Sequence, residues 1–148
     1  VTAVDLSEEM LAIAKEKIKT KRVQFVQADI LESWLFRKKL FDLVSFSLVL
    51  EHIENLDPVF KETSLALKPG GHVYIGELHP FKQYTGTKAR FTSEAGQQVL
   101  TCYNHHISDF IRSAKKYELN LADMEEYFDE NNKEEIPRVL SIIFKKEA

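Results

Sequence analysis

The sequence predicts an α/β fold, namely a doubly wound, mostly parallel sheet that ends in an antiparallel pair of strands. Two observations support this prediction. From Val1 to Glu77, short apolar or β-branched runs alternate with amphipathic helical patterns, as in strand-helix-strand units. Near the end of the chain, two extended runs are joined so closely that they must pair antiparallel, namely Leu119–Phe128 and Arg138–Lys145.

Composition indicates one domain over residues 1–148, because 44% apolar and 11% aromatic residues suffice for a packed core. A net charge of -3 with scattered lysines disfavours sequence-independent binding to nucleic acid. The one cysteine, Cys102, excludes a disulfide within the chain and fits a reducing compartment, so we expect a cytoplasmic protein. We expect neither a membrane span nor a metal site.

The first unit of the pattern is a strand, a helix and a second strand. Ser7 is placed to cap the helix, since Glu8 and Glu9 follow it and lysines accumulate at the other end. The second strand covers Val23–Ala28. Next along the chain, the run Phe41–Ser47 is apolar enough to predict a strand buried on both faces.

The next helix is expected to begin near Pro58, because proline suits the first helical turn. Its end is predicted at the turn Leu67–Gly71, where Gly70 or Gly71 supplies a positive φ before the strand His72–Glu77. Residues 80–97 form a long polar and aromatic segment, which we interpret as a lid or substrate loop. Beyond it we predict an edge strand over Val99–Tyr103 and a helix capped by Ser108.

Two acids, Asp5 and Asp29, each close one of the first two strands. In an open parallel sheet, ligands bind beyond the carboxyl ends of the strands. An ionised carboxylate offers two acceptor oxygens to the two hydroxyl donors of a ribose. We therefore expect Asp5 to bind the ribose of an adenosine group and Asp29 to face its adenine. The alternative is that both acids merely end their strands in solvated loops.

These residues resemble the class I S-adenosylmethionine-dependent methyltransferases that act on small molecules, from Val1 to Lys146. Four segments carry the resemblance, in the family's order and spacing: Val4-Asp-Leu-Ser7, Gln27-Ala-Asp-Ile30, Phe41-Asp-Leu-Val44 through Ile53, and Leu67-Lys-Pro-Gly-Gly71. The last is the most distinctive. The resemblance implies a Rossmann-like sheet, S-adenosyl-L-methionine as cofactor and a small-molecule methyl acceptor.

The sequence departs from the family pattern at its beginning. Such enzymes start with a strand and a glycine-rich loop, and no Gly-x-Gly arrangement occurs near Val1. We therefore interpret the chain as a partial, N-terminally truncated methyltransferase domain. The family's first strand lies between the strands that end at Asp5 and Ser47, so its absence leaves two unpaired edges through which a homodimer could form.

The resemblance also implies site residues. The expected cofactor contacts are Asp5, Leu6, Asp29, Ile30 and Ser47. Methyl transfer needs no protein nucleophile, but a general base helps when the acceptor carries a proton, and histidine suits neutral pH. His52 and His79 follow strand ends and are the candidate bases, although each has an equally good structural role. Tyr84 and His106 are the expected substrate contacts. The neighbours His105 and His106 would point apart on a strand and could not share a metal.

Two other functions remain open. One is a nicotinamide-dependent oxidoreductase of the short-chain type, since there too an acid ends the second strand and binds the ribose. Tyr84 and Lys88 even have the right spacing, but Gly86 and Pro80 argue against the helix that this motif needs. The other is a non-catalytic dimerisation module derived from a methyltransferase.

Overall fold

The computed structural model describes residues 1–36, 41–86, 90–93, 96–99 and 101–147. The chain divides into two compact units, Val1–Lys39 and Leu40–Ala148. In the described part of the chain, no helix has both the length and the apolar character that a bilayer span requires.

The first unit is the predicted strand-helix-strand element. Strand β1 (Thr2–Asp5) pairs in parallel with β2 (Gln24–Gln27), and helix α1 (Glu8–Lys17) connects them. The Ser7 side chain accepts a hydrogen bond from the backbone N–H of Met10, which confirms the predicted N-cap. Because a helical crossover joins the two strands in parallel, their carboxyl ends lie at the same edge of the sheet.

The second unit contains the remaining strands and helices. Its strands are β3 (Phe41–Ser47), β4 (Leu67–Leu78), β5 (Arg90–Ser93), β6 (Gly96–Val99), β7 (Leu119–Tyr127) and β8 (Val139–Lys146). Its α-helices are α2 (Asp57–Ala66), α3 (Pro80–Tyr84) and α4 (Ile107–Lys116). Two short 3₁₀ turns lie at Leu50–His52 and Asp129–Asn131.

The main sheet has the order β3-β4-β8-β7. Strands β3 and β4 are parallel, whereas β8 runs antiparallel to both β4 and β7. This order confirms the predicted α/β class and the predicted antiparallel pair at the end of the chain. Among the described residues, β3 pairs with β4 alone and β1 pairs with β2 alone, so each has an unpaired side.

One face of the main sheet carries the core. Along β4 the side chains alternate, with Val73 and Ile75 fully buried and Tyr74 37% exposed. On the buried face, Phe60 of α2 packs edge-on against Phe144 of β8, with ring centroids 5.9 Å apart. The other fully buried large side chains of this unit include Leu50, Leu67, Leu119, Leu140 and Ile142.

The prediction that β3 is buried on both faces is wrong. Only Phe46 of this strand is buried, and Leu43 is 57% exposed. The reason is positional, because β3 is the outermost strand of its sheet and the core lies on one face. An apolar run alone does not distinguish this position from a central one.

The segment Leu67–Gly71 lies within β4, which begins at Leu67 rather than at the predicted His72, but its positive-φ glycine follows the prediction. Gly70 has a φ of +75°, which is a left-handed conformation that glycine adopts without strain. Gly71 is needed for a different reason, since a Cβ atom there would lie 2.9 Å from the backbone oxygen of Lys68. At the end of α2, the Lys146 ammonium donates hydrogen bonds to the backbone oxygens of Ser64 and Leu67.

The segment between β4 and β7 differs from its prediction at three points. Residues 80–97, predicted as a loop, contain α3 and the antiparallel pair β5 and β6, and their lid or substrate role stays a prediction. Within the described residues, the predicted strand Val99–Tyr103 is not formed as predicted, because β6 ends at Val99 and residues 101–106 are irregular. The N-cap of α4 is His106 rather than Ser108, since the Asp109 carboxylate accepts a hydrogen bond from the His106 backbone N–H.

We expect Phe60→Ala to lower the free energy of unfolding by about 3–5 kcal/mol, because it removes a fully buried ring and leaves a cavity against Phe144. Leu65→Ala on the same helix is the control, because Leu65 is 48% exposed and its loss should cost less than about 1 kcal/mol. Urea unfolding at a constant m-value measures both variants. Equal effects of the two substitutions would contradict the assigned core.

Candidate functional site

The two strand-end acids of the first unit lie at the same edge. In the parallel register Asp5 is opposite Gln27, and Asp29 lies two residues beyond Gln27. Each carboxylate accepts one local backbone N–H through Oδ1, from Ser7 at 2.7 Å and from Leu31 at 2.9 Å. These turns fix both side chains and leave each Oδ2 able to accept a further hydrogen bond.

Two further side chains fix the backbone beside these acids. The Gln27 amide donates a hydrogen bond to the backbone oxygen of Leu6 at 3.1 Å, and the Trp34 indole donates one to that of Ile30 at 3.0 Å. The Leu6 side chain is 66% exposed. Gln27 was not singled out from the sequence, although its position opposite Asp5 follows from the predicted parallel pairing.

In the second unit, the loop after β3 is held by the end of β4. Leu48 has a φ of +52°, and its backbone N–H donates to the oxygen of Gly76 at 2.9 Å. Ser47 precedes this bend at the last position of β3 and is exposed. A non-glycine residue in the left-handed region persists only where its surroundings hold it there.

Glu77 supplies the rest of this support. It is only 2% exposed, and its Oε1 accepts the backbone N–H groups of Val49 and Leu50, each at 3.0 Å. The other oxygen, Oε2, is buried without a hydrogen-bond partner among the described residues. Burial raises the pKa of the Glu77 carboxyl, while the N–H groups of Leu50 and Val49 act in the opposite direction and the nearby Glu51 raises it further.

A second segment, residues 101–105, holds the same loop from another side. The Tyr103 backbone N–H donates to the Glu51 oxygen at 2.7 Å, and the His105 Nε2 lies 2.6 Å from the Ile53 oxygen. Between them, the His52 Nδ1 lies 2.9 Å from the Thr101 oxygen. A carbonyl accepts only, so the His52 Nδ1 carries the proton and Nε2 has the free lone pair.

His79 occupies a different kind of environment. Its side chain is 1% exposed and both ring nitrogens have partners. Nδ1 accepts the Phe81 backbone N–H at 3.2 Å, and Nε2 donates to Glu126 at 3.0 Å. Burial lowers the pKa of His79, and the Glu126 carboxylate acts against this shift. The ring therefore caps α3 in its neutral form, with Pro80 as the first helical residue.

Tyr84 and His106, the two expected substrate contacts, do come together. The Tyr84 hydroxyl is hydrogen-bonded to Nδ1 of His106, and the two ring centroids are 5.6 Å apart. Both side chains are exposed. His106 is at a helix cap and His105 binds Ile53, so their expected strand geometry is wrong. The described residues contain no cluster of three metal-ligating side chains.

A polar cleft of about 450 Å³ lies elsewhere, beside the start of α4. Several of its charged side chains are paired: the Lys116 ammonium and the Ser113 hydroxyl both donate to Asp57 at 2.6 Å, and Arg112 pairs with Asp109 at 3.4 Å. The hydrogen bond from Lys116 lowers the pKa of Asp57. The cleft is lined by Glu54, Asn55, Leu56, Asp57, Tyr103, Asn104, His105, Asp109, Arg112, Ser113 and Lys116. None of the expected site residues is among them.

A family model described as a methyltransferase domain matches residues 1–75, which is half of the chain. The chain belongs to this methyltransferase family. The match includes all four segments on which the resemblance depends, the last of which is Leu67–Gly71.

Curated methyltransferases are similar over different lengths. The demethylmenaquinone methyltransferase of Leptospira interrogans is 40% identical over 75 residues, which cover 48% of this chain and 30% of that protein. The demethylmenaquinone methyltransferase of Lactococcus lactis is 30% identical over 147 residues, which cover 93% of this chain and 54% of that protein. The methyltransferase chain thus spans between about one third and about half of the length of these relatives.

A solved structure shares the fold of the methyltransferase chain. It is described as a putative S-adenosylmethionine-dependent methyltransferase from Listeria monocytogenes, with 22% identity and a TM-score of 0.82. The alignment covers 100% of this chain and 80% of that one. Together with the family match, this similarity confirms the resemblance to class I methyltransferases. The family match disfavours the short-chain oxidoreductase, whose second motif residue, Lys88, lies outside the described residues.

We expect Glu77→Gln to preserve the loop and Glu77→Leu to disrupt it. The amide oxygen of glutamine still accepts the two N–H groups, whereas leucine leaves both unpaired, at a cost of about 2–4 kcal/mol. Urea unfolding measures both. If glutamine proved as destabilising as leucine, the acceptance of these two N–H groups would not be what the Glu77 side chain contributes.

The same variant predicts a pH dependence. Because burial raises the folded-state pKa of Glu77 above its ordinary value of 4.5, the folded protein binds this proton more tightly than the unfolded chain. The contribution of Glu77 to stability is therefore full at low pH and is lost as the pH rises through the folded-state pKa. Glu77→Gln should remove this loss, which shows as a flatter unfolding free energy above pH 4.5.

Proposed function

We propose that this protein transfers the methyl group of S-adenosyl-L-methionine to a small-molecule acceptor. The observation that carries the proposal is the pair of carboxylates at the shared edge of β1 and β2, fixed by their own turns, in a chain of the methyltransferase family. This arrangement suits an adenosine group, because each acid keeps one acceptor oxygen for a ligand donor.

The cofactor contacts follow from this proposal. Asp5 accepts hydrogen bonds from the ribose hydroxyls, and Asp29 accepts one from the amino group of adenine. The exposed side chain of Leu6 and the neighbouring Ile30 provide apolar contact, and Ser47, at the end of β3, stays a predicted cofactor contact. The family match and the exposure of Leu6 support these roles.

Bound S-adenosyl-L-methionine supplies an electrophilic methyl group on a sulfonium. In the bound cofactor this methyl group would pass to the nucleophilic atom of the acceptor, and the electron pair of the broken carbon–sulfur bond would go to sulfur. The protein's tasks are to orient the acceptor in line, to exclude water and to take the acceptor's proton.

His52 is the better candidate for the proton acceptor. Its Nδ1–H is fixed by Thr101, so the Nε2 lone pair is available to a proton. His79, the other candidate, already uses both nitrogens in hydrogen bonds to Phe81 and Glu126, and it is buried. In this proposal His79 instead fixes the start of α3, which carries Tyr84.

The acceptor is proposed to contact Tyr84 and His106, with residues 80–97 as the covering segment. The names of two relatives specify demethylmenaquinone, so a quinone-type ring is a reasonable probe of acceptor binding. We also propose a cytoplasmic location, no partner nucleic acid or membrane, and a homodimer through the unpaired sides of β1 or β3.

We expect Asp5→Asn to weaken binding of S-adenosylhomocysteine by about 10- to 100-fold, because a charge-assisted hydrogen bond to the ribose becomes a weaker one. Calorimetric titration measures the affinity, with NAD as the competing ligand class. Asp42→Asn is the matched control, since Asp42 is an exposed acid on β3 that pairs with Lys68. Tighter binding of NAD than of S-adenosylhomocysteine would overturn the proposed function.

We expect His52→Gln to lower kcat by about 100-fold or more while leaving the affinity for S-adenosylhomocysteine unchanged, because only the proton acceptor is lost. The assay follows methyl transfer to reduced demethylmenaquinone. His72→Gln, a half-buried histidine on β4, is the control and should leave kcat unchanged. An active His52→Gln enzyme would exclude His52 as the base.

A further inference from the structure

Four rings form a continuous line beyond the carboxyl end of β4, which we name the aromatic row: His79, Phe81, Tyr84 and His106. The His79 and Phe81 rings stack with centroids 5.1 Å apart. Phe81 and Tyr84 meet edge to face at 6.2 Å, and Tyr84 is followed by His106 at 5.6 Å. Contacts of this kind stabilise aromatic pairs beyond their buried area.

The row is anchored at one end and open along the middle. His79 is buried and hydrogen-bonded on both nitrogens, so it cannot turn. Phe81 and Tyr84, by contrast, are 51% and 47% exposed although they lie next to each other on α3. Two large neighbouring rings left half in water on a fixed support provide apolar area for a flat ligand.

The far end of the row is polar. The Tyr84 hydroxyl and His106 Nδ1 form one hydrogen bond, so the Tyr84 oxygen is able to accept a second hydrogen bond. The His106 backbone is fixed in turn, because its N–H donates to Asp109 at 2.9 Å. A phenol O–H is a strong donor and matches this oxygen.

We propose that the aromatic row binds a hydroxylated aromatic ring, with the ring against Phe81 and its hydroxyl donating to the oxygen of Tyr84. The inference rests on the proposed function, since it names the chemical class of the methyl acceptor. Tyr84 and His106 then determine specificity, because a site built to pair with a hydroxyl rejects the analogue that lacks it.

The charges around the pair favour a neutral hydroxyl over a carboxylate. Asp109 lies beside His106 and already binds Arg112 at 3.4 Å, while Lys82 lies 3.8 Å from Asp129. Lys82 on α3 and Arg112 on α4, the helices that carry Tyr84 and follow His106, therefore already have acidic partners. An added carboxylate would meet the negative charge of Asp109, while these two cations are already paired.

The test compares two probes of nearly equal size, 1-naphthol and 1-methylnaphthalene, which differ in a hydroxyl and a methyl group. Calorimetric titration into the full chain should show that 1-naphthol binds at least about 10-fold more tightly. Tyr84→Phe should remove this preference by weakening 1-naphthol alone. Tyr74→Phe, an exposed tyrosine on β4, is the matched control and should change neither affinity.

A second variant separates the hydrogen bond from the packing. His106→Asn keeps a good N-cap for α4 but removes the imidazole, so it should lower the preference for 1-naphthol with unchanged helical circular dichroism. Equal binding of the two probes, or an unchanged preference in Tyr84→Phe, overturns the proposal. Loss of 1-naphthol binding when the chain dimerises also overturns the proposal, because a second copy of the chain then covers the aromatic row.

Titration of S-adenosylhomocysteine into the same protein tests the proposed function separately. A chain that binds 1-naphthol through Tyr84 but never binds S-adenosylhomocysteine retains the ligand site and loses the methyltransferase assignment. A chain that binds S-adenosylhomocysteine but shows no preference for 1-naphthol retains the function and loses the proposed acceptor class.

Discussion

The second unit's site depends on the contact between the Glu77 carboxylate and the loop after β3. This carboxylate ties the end of β4 to the loop by accepting two backbone N–H groups with one oxygen. Loops normally satisfy such groups with water, and here the loop is buried instead, so an internal acceptor is required. The position of His52, three residues beyond Val49, follows from this buried contact. The cost is a buried carboxyl with a raised pKa.

The first unit positions its two acids without a buried carboxyl. Asp5 and Asp29 each fold back onto a backbone N–H two residues ahead, so no long-range partner is required. Such turns form wherever an acid ends a strand, which explains why the placement of both acids could be predicted from local sequence. The parallel register that aligns them comes from the predicted crossover through α1.

Sequence patterns predicted the features that depend on neighbours along the chain, such as the Ser7 cap and the glycine turn at Gly70. They missed those that depend on distant partners. Glu77 was predicted only as the end of a strand, because its partners Val49 and Leu50 lie 28 and 27 positions away in the chain. The apolar run of β3 concealed an outermost strand, because periodicity reports side-chain character and not the number of neighbouring strands. His106 rather than Ser108 is the N-cap of α4, because the Asp109 carboxylate, three residues after His106, accepts the His106 backbone N–H.

The hydrogen bonds between residues 51–53 and residues 101–105 join segments about fifty positions apart in the chain. Closing so large a loop costs entropy that is recovered only when all the contacts form together. The two segments should therefore open and close as one cooperative unit, with similar hydrogen-exchange protection at Tyr103 and at the loop it binds. A perturbation at α4 then reaches His52 through residues 101–105, by way of the Tyr103 backbone N–H and the His52 and His105 rings.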